Sequence, residues 1–504
     1  METDPLVINP NNEPRSATWS DRQSSAWDIR NAPANYFWLI VFQAASALAA
    51  FGSVWLITRP QHLGKEGYGG LMAVIVASQV VLVFVNWTAI SVVRFGVDEF
   101  VETGAVARTF WTRFLILAIN LTAVLAFSFL WFEPLANRLK VSPASFWLVI
   151  GYFAVSAVWL HFQQGLQAAK MLRAQGFLLM AEKVLILAGI LALVIAGALE
   201  FQSAVICYIA APAVVMVAGL LQLRSVIVRP FSFRKEDVKK IVVYSLPLVP
   251  YGLVGYFSGS YLDAIFITSY LSTADLGVYS LAMQINGFAM QVPTLANSVL
   301  LPLLVTQQAE SGNERSFGYF RNVLPGLVLM WGVASSVMGF VFYFAIPIIY
   351  GAPFSPAAVP VWILLSATVV WLPVAIGYSA LANTISATYM SLVVVIASST
   401  VNVGANFILI PKYGMIGCAI ATLLAFTASV VTFAILLKVS AKMPISWTFL
   451  AFVPSGVSAF LLLLLDAPVW ALFGCITVSA AVAFVKRDSI KLMIAFLSTF
   501  RKAT

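Results

Sequence analysis

Residues 388–410 read TYMSLVVVIASSTVNVGANFILI and residues 414–438 read GMIGCAIATLLAFTASVVTFAILLK, with three residues between them. Each run exceeds the roughly 20 mostly apolar residues that an α-helix needs to cross a membrane. The whole chain has the same character: of its 504 residues, 61% are hydrophobic and 10% are charged, whereas soluble proteins carry about 25% charged residues. The sequence therefore predicts an all-α, polytopic integral membrane protein.

Apolar runs of spanning length divide the chain into regions. We expect fourteen spans, at 36–58, 69–93, 110–132, 145–164, 177–198, 202–223, 243–270, 275–304, 321–349, 357–382, 388–410, 414–438, 445–465 and 467–485. The regions are a disordered cytoplasmic tail (1–35), an N-lobe of six spans (36–224), a basic cytoplasmic linker (225–242), a C-lobe of six spans (243–438), and two extra helices with a basic tail (439–504).

The distribution of Lys and Arg predicts the orientation, because these residues collect in cytoplasmic loops. With the N-terminus inside, 23 of the 29 Lys and Arg residues fall in cytoplasmic segments and five fall in outside loops. We therefore expect an even number of spans with both termini cytoplasmic. The cations of the linker mark this topology and touch anionic lipid, or they contact a substrate directly.

Several function classes lack their sequence signatures. The three cysteines are far apart in apolar runs, so neither a disulfide framework nor a cysteine metal site is expected. The sequence contains no phosphate-binding loop and no HExxH zinc motif. Its outside loops are short, which disfavours a membrane glycan polymerase or ligase with a catalytic outer loop. We expect no enzymatic activity, no cofactor, no metal and no nucleic-acid partner.

Two short hairpins indicate an internal repeat. Residues 63–70 read LGKEGYGG after span one, and residues 271–279 read LSTADLGVY after span seven. Each has an acidic residue before an apolar or aromatic residue and a glycine, and Gly277 follows Gly69 by 208 positions. Repeats are common in secondary transporters. A helix N-cap also explains Asp and Gly at such a place.

Three stretches carry a resemblance to a known family. They are 63–69, then YSLPL at 244–248 with Asp263 and LSTADLGVYSLA at 271–282, and VNVGANFILIPKYGMIGCAI at 401–420. They resemble bacterial polysaccharide repeat-unit (O-antigen and exopolysaccharide) flippases, whose superfamily also holds the multidrug and toxic-compound extrusion (MATE) transporters and the lipid II flippase. The resemblance implies two six-helix lobes facing each other in a V. It also implies transfer of an undecaprenyl-pyrophosphate-linked oligosaccharide between leaflets by alternating access, with polysaccharide polymerase or export machinery as the expected partner.

Asp263 is the clearest ionisable residue inside a predicted span, where a charge costs roughly 2.5–3.5 kcal/mol and is by default functional. Tyr256, Ser260 and Asp263 share a helix face through their i, i+4, i+7 spacing, which predicts that they face a central cavity. Asp263 then couples transport to a proton or a sodium ion, or forms an interhelical hydrogen bond. Prolines and glycines in span seven would bend this helix as part of a gate, or they would allow close packing against its neighbours. They are Pro247, Pro250, Gly252, Gly255 and Gly259.

Three cations near the predicted cytoplasmic surface have two interpretations each. Lys183 follows Glu182 early in span five, and Arg94 and Arg113 lie at the ends of spans two and three. Each contacts a diphosphate, or anchors its helix end at the lipid headgroups.

Polar residues within spans also have alternatives. Gln284 and Gln291 share one face of span eight, and Asn402 and Asn406 share one face of span eleven. These amides bond sugar hydroxyls or neighbouring helices. His161 is interpreted as part of the polar end of span four.

The expected function is that of a flippase for lipid-linked repeat units in the bacterial inner membrane. A cation-coupled multidrug exporter of the same fold is the nearest alternative, and a nonenzymatic partner of a polysaccharide synthase is another. A cationic drug favours an acidic, aromatic cavity, whereas a diphosphate favours Lys and Arg. Span one has Gln43 and Ser46 but no charge, unlike the lipid II flippase, which disfavours lipid II as cargo.

Overall fold

The computed structural model describes residues 32–132, 143–228, 233–246, 249, 260–311, 317–384, 387, 389–443 and 446–503. Within these ranges all regular structure is helical and there is no strand. Eleven of the described helical segments are long and apolar enough to cross a membrane. The prediction of an all-α, multi-span membrane protein is therefore confirmed.

Seven helices of the described residues form the first half of the molecule, which we call the N-lobe. They are α1 (Ala32–Ile57), α2 (Gly64–Val85), α3 (Ala89–Thr103), α4 (Ala107–Leu130), α5 (Pro143–Ala168), α6 (Leu172–Ile195) and α7 (Phe201–Ile227). Helix α1 packs along α6, and α5 packs between α2, α3 and α7. The linker contains the short helix α8 (Lys235–Ser245), which packs against α3 and α4.

The second half contains the remaining helices of the described residues, of which those up to Ala441 form the C-lobe and the last three follow it. They are α9 (Ser260–Tyr270), α10 (Thr273–Ser311), α11 (Leu324–Ile349), α12 (Ala358–Pro373), α13 (Ser379–Thr384), α14 (Tyr389–Ala441), α15 (Thr448–Leu465), α16 (Pro468–Val485) and α17 (Arg487–Ala503). A π-helical turn at Tyr319–Val323 precedes α11, and another at Val374–Tyr378 joins α12 to α13. A 3-10 turn at Ala352–Ala357 leads into α12.

Helix α12 is the centre of the C-lobe. In the segment Ala352–Ala382, 89% of the most apolar window is buried, against 22–44% for the other spanning segments. Helices α10, α11, α14 and α15 all pack against it. The other helices expose Leu, Ile, Val and Phe side chains on their outer faces, as expected where lipid is the solvent.

The count of fourteen spans stays a prediction. Helix α14 is long enough for two spans and breaks at Gly414, whose φ of 57° and ψ of −136° are non-helical. Glycine adopts such a conformation without the steric cost of a Cβ. The two arms of α14 correspond to the predicted spans 388–410 and 414–438. The predicted span 243–270 lies only partly within the described residues.

The predicted end of span two was wrong. The sequence predicted one span over 69–93, but α2 ends at Val85 and α3 begins at Ala89. Helix α3 has its own amphipathic pattern, and the Glu99 carboxylate on it accepts hydrogen bonds from the backbone N–H groups of Arg108 and Thr109, at 2.9 and 2.8 Å. A carboxylate at the start of α4 satisfies N–H groups that would otherwise be unpaired. Glu99 of α3 therefore caps the N-terminus of α4.

Candidate functional site

A cavity of about 560 Å³ lies between the N-lobe and α10. Its polar lining residues are Gln43, Ser46, Gln79, Tyr152, Ser156, Gln163, Glu182, Lys183, Gln284 and Gln291. A second cavity of about 310 Å³ shares Ala50, Lys183 and Gln284 with the first. We call the two together the central cavity. Three of the residues singled out from the sequence, Lys183, Gln284 and Gln291, thus line one space.

The charged lining residues of the central cavity in the described chain are Lys183 and Glu182. The Lys183 Nζ lies 2.6 Å from Oε1 of Glu182, and the indole Nε1 of Trp159 donates to Oε2 of the same carboxylate at 2.8 Å. The Glu182 side chain is only 11% exposed, whereas that of Lys183 is 40% exposed. Glu182 is therefore engaged by two donors, and the ammonium group stays accessible from the cavity.

Five glutamines from α1, α2, α5 and α10 give the cavity an amide lining. Each amide offers donors and an acceptor, and the Tyr68 hydroxyl donates to Oε1 of Gln284 at 3.4 Å. Gln79, Tyr152 and Trp159 were not predicted from the sequence as site residues. A polar or large aromatic residue inside an apolar run was the available signal, but such residues also occur in interhelical contacts.

The two lobes touch at one end of the cavity. We call it the hairpin end, because it holds the turns from α1 to α2 and from α9 to α10. A Cβ at Gly69 of α2 would overlap the carbonyl oxygen of Thr273, and a Cβ at Gly277 of α10 would overlap that of Lys65. The two contacts are equivalent, because Gly277 follows Gly69 by 208 positions and Thr273 follows Lys65 by the same number. Glycine is required here by close approach of the two backbones.

An aromatic contact between α1 and α10 also joins the lobes. The rings of Phe51 in α1 and Phe288 in α10 are 5.7 Å apart in an edge-to-face arrangement, a favourable geometry for aromatic pairs. Both residues line the central cavity. The cavity is therefore bounded by lobe contacts on the side of the hairpin end.

Asp263 lies away from the central cavity, so the expectation that it faces this space was wrong. It is 2% exposed, and its carboxylate accepts hydrogen bonds from Asn406 Nδ2 at 2.9 Å, Thr422 Oγ1 at 2.9 Å and Tyr279 Oη at 3.3 Å. Asn406 Nδ2 also donates to Asn402 Oδ1 at 3.1 Å. The reason is that α14 covers the polar face of α9. Asn402 and Asn406 belong to this Asp263 cluster and do not line the cavity.

Two arginines lie outside the central cavity. The Arg94 side chain is 54% exposed and pairs with Asp98 at 2.6 Å. Arg113 has no exposed surface and donates to Oδ1 of Asn86. It is enclosed by the N-lobe and does not reach the headgroups, so the anchoring interpretation was wrong for this residue. His161 is also fully buried and does not form the end of its helix, which continues to Ala168.

The remaining candidates fall outside the described residues. They are Tyr256 and the predicted gating bend of Pro247, Pro250, Gly252, Gly255 and Gly259, together with the side chain of Ser260.

The fold is similar to that of known transporters. The lipid II flippase MurJ in its inward closed conformation has 16% identity and a TM-score of 0.63, covering 90% of this chain and 100% of that chain. A multidrug resistance MATE family transporter of the MOP superfamily, in an inward-facing conformation, has 15% identity and a TM-score of 0.57, covering 81% and 100%. A mutant of the Vibrio cholerae MATE transporter VcmN has 15% identity and a TM-score of 0.55, covering 82% and 99%.

The sequence comparison gives the family. No curated protein matches the chain. Residues 33–308, more than half of the chain, match the family described as "Polysaccharide biosynthesis protein". Together with the transporter fold, this match confirms the superfamily that the sequence resemblance indicated. The chain belongs to the polysaccharide biosynthesis protein family.

Proposed function

We propose that this protein moves a polyprenyl-pyrophosphate-linked oligosaccharide repeat unit from the cytoplasmic to the outer leaflet of the bacterial inner membrane, for exopolysaccharide, O-antigen or capsule biosynthesis. The observation that carries the proposal is the central cavity, an amide-lined space between two lobes with one accessible ammonium group. The family match supports a role in polysaccharide biosynthesis.

The lining of the cavity suits a glycan joined to a diphosphate. Sugar hydroxyls both donate and accept hydrogen bonds, as do the five glutamine amides and the tyrosine hydroxyls. Phe51, Trp159 and Phe288 add apolar surface for sugar rings. The Lys183 ammonium group supplies the charge-assisted hydrogen bond that a phosphate oxygen accepts. The polyprenyl tail stays in the surrounding lipid.

The same lining argues against a cationic drug as cargo. Such a cargo needs a free carboxylate in the cavity. In the described part of the wall the carboxylate is Glu182, and Lys183 and Trp159 already occupy both of its oxygens. Glu182 and Lys183 form an ion pair, but the Lys183 side chain is 40% exposed and that of Glu182 only 11%. The more accessible group of the pair therefore favours an anionic group on the cargo.

The contact at the hairpin end supports alternating access as the mechanism. The positive-inside rule places this end outside, so the glycine contact closes the cavity toward the outer leaflet. Transport requires that α2 and α10 separate at Gly69 and Gly277 while the lobes approach each other at the opposite end. We propose that the cargo enters from the cytoplasmic side in the closed-outside state.

We further propose that a cation acts at the Asp263 cluster during this cycle. The cluster offers oxygen ligands, which hard cations such as sodium prefer: the Asp263 carboxylate, Asn402 Oδ1, Asn406 Oδ1 and Thr422 Oγ1. The Asn406 Oδ1 is buried without a hydrogen-bond partner, so a ligand atom is available. A proton on the Asp263 carboxylate is the alternative.

Thermal unfolding of the purified protein distinguishes a bound sodium ion from a proton. If sodium binds, the Tm rises with sodium at constant ionic strength in the wild type, because a ligand stabilises the state that binds it, and the rise is absent in Asp263→Asn. Asp488→Asn, a change of a side chain that is 85% exposed, serves as the matched control and keeps the rise. A Tm that depends on pH but not on sodium supports the proton.

The flippase activity is tested in cells that lack the gene. Lipid-linked oligosaccharides are extracted and assigned to a leaflet by their accessibility to a glycan-modifying enzyme added outside spheroplasts. We expect complete repeat units to accumulate on the cytoplasmic leaflet, and a wild-type copy to reverse this. If repeat units reach the outer leaflet without the protein while polymer is lost, the proposal is wrong and a nonenzymatic role beside a polysaccharide synthase replaces it.

A further inference from the structure

The N-lobe interior contains a cation that is separate from the central cavity. Arg113 lies six residues into α4, or about 9 Å along its axis, and has no exposed surface. It does not line either part of the central cavity. A guanidinium buried at such a depth requires hydrogen-bond acceptors and a counter-charge.

Most of the hydrogen-bonding capacity of Arg113 is unused. Nη2 donates to Oδ1 of Asn86. Nε and Nη1, which carry three of the five N–H bonds of the group, have no partner among the described residues. The ion pairs formed within the described ranges do not include Arg113. The positive charge is thus buried without a counter-charge in the described part of the protein.

A second unpartnered group lies beside it. The imidazole of His161 is fully buried, and its ring centroid is 4.2 Å from that of Phe110 and 5.5 Å from that of Phe114, which flank Arg113 on α4. Both ring nitrogens lack a hydrogen-bond partner among the described residues. Donors from two helices therefore occupy one enclosed region.

The side chains near this region include neutral acceptors that are also buried without a partner, Thr112 Oγ1 and Gln164 Oε1, but no described group here supplies the negative charge that the guanidinium requires. Arginine keeps its proton in proteins, so deprotonation does not relieve its burial. An unpaired buried charge is strongly destabilising, and unsatisfied buried donors add to that cost. Water satisfies N–H groups but leaves the charge uncompensated. A small anion accepts the hydrogen bonds and compensates the charge.

We propose that the N-lobe binds one small inorganic anion, with chloride as the expected occupant, at Nε and Nη1 of Arg113 and a ring N–H of His161. The enclosure of both residues limits the occupant to a small ion. It also distinguishes this site from the one that holds the diphosphate of a lipid-linked cargo.

The anion would stabilise a junction of three helices. Asn86 is the C-cap of α2, and its Nδ2 donates to the carbonyl oxygen of Ala157 in α5 at 3.5 Å, while its Oδ1 accepts from Arg113 in α4. An anion that fixes the guanidinium therefore also fixes Asn86. The N-lobe should be more stable when the anion is bound.

The proposal is tested by thermal unfolding of the purified full chain in detergent, with sodium gluconate replaced stepwise by sodium chloride at constant ionic strength. We expect a saturable rise of a few degrees in the Tm, a similar rise with bromide, and no rise in Arg113→Leu. Arg94→Leu removes an exposed arginine and should keep the rise. Phosphate at the same ionic strength distinguishes a site for a larger oxyanion from one for a halide.

A second measurement does not depend on a variant that folds. A crystal grown in bromide should show an anomalous scattering peak next to Nε of Arg113. If the wild type unfolds at the same temperature in gluconate, chloride, bromide and phosphate, and no peak appears, the region is filled by water and the proposal is wrong. A chloride-dependent rise that persists in Arg113→Leu places the anion elsewhere and also contradicts it.

Discussion

At the scale of single residues, Lys183 is the cation of the described cavity wall, and its removal should impair transport. A hydrogen bond to a charged group contributes about 1.5–3 kcal/mol, so we expect Lys183→Gln to lower the rate of leaflet transfer by about 10- to 100-fold. Lys183→Arg keeps the charge and should retain most of the activity. Reconstituted vesicles with a lipid-diphosphate-linked oligosaccharide give the measurement.

The matched control for Lys183 is Lys491→Gln, because the Lys491 side chain is 77% exposed on α17. It should transport like the wild type. Equal rates for Lys183→Gln and the wild type would show that the diphosphate is recognised elsewhere. Lower rates for both variants would indicate a general loss of basic charge.

The sequence showed which single residues are polar within apolar helices, but it did not show which neighbouring side chains they contact. Asp263, Asn402 and Asn406 were each selected as polar residues in apolar helices. Helical spacing correctly put Asn402 and Asn406 on one face, but it says nothing about the helix that covers that face. Asp263 and Asn406 are 143 positions apart in the chain, so their contact depends on the packing of α9 against α14, which periodicity cannot specify.

At the scale of helices, the crossing of α2 and α10 should control closure of the hairpin end. A methyl group at Gly69 or Gly277 would overlap a backbone carbonyl of the other helix, and backbone atoms cannot move aside as side chains do. We therefore expect Gly69→Ala and Gly277→Ala to separate the helices and leave the cavity open at this end. Labelling of Gln284→Cys by a membrane-impermeant maleimide should rise in both variants.

Gly287 provides the control for the crossing, because it lies on the same helix and a Cβ there would have no neighbour within 4 Å. Gly287→Ala should label like the parent protein. If Gly69→Ala and Gly277→Ala also leave the labelling unchanged, the crossing does not limit access to the cavity.

Helix boundaries could be predicted where apolar runs meet a turn signal. The predicted spans 445–465 and 467–485 agree with α15 and α16 within three residues at each end. The end of α2 could not be predicted because the apolar run continues into α3, whose polar face appears only one turn later. Hydropathy measures whether a segment is apolar, and it does not detect a change of direction between two apolar helices.

At the scale of the whole molecule, α15 and α16 pack against helices of the C-lobe. Trp362 of α12 is fully buried, and its Nε1 donates to Ser458 of α15 at 3.1 Å. Leu462 of α15 and Ala471 of α16 complete the same core cluster. Truncation after Ala441 removes this contact surface, so we expect loss of the monodisperse peak in size-exclusion chromatography. Truncation after Val485, which removes Lys486, α17 and Thr504, should preserve the peak.

The arrangement of turns in the described residues agrees with the predicted even number of membrane spans. A Cβ at Gly414 would lie 3.9 Å from Leu271, so the turn inside α14 lies at the hairpin end, where α2 and α10 also begin. Helix α17 lies at the opposite end, because Met493 packs against Gly326 near the start of α11. The turns with few cations and the basic tail thus occupy different ends of the molecule.

This arrangement makes the predicted topology testable with single cysteines in a variant without native cysteines. Lys65→Cys and Lys412→Cys, at exposed positions of the hairpin end, should react with an impermeant maleimide in spheroplasts of intact inner membrane. Arg487→Cys and Lys491→Cys, at exposed positions of α17, should react only after permeabilisation, because the excess of Lys and Arg holds their side in the cytoplasm. The reverse pattern would invert the molecule, and with it the direction of the proposed transport.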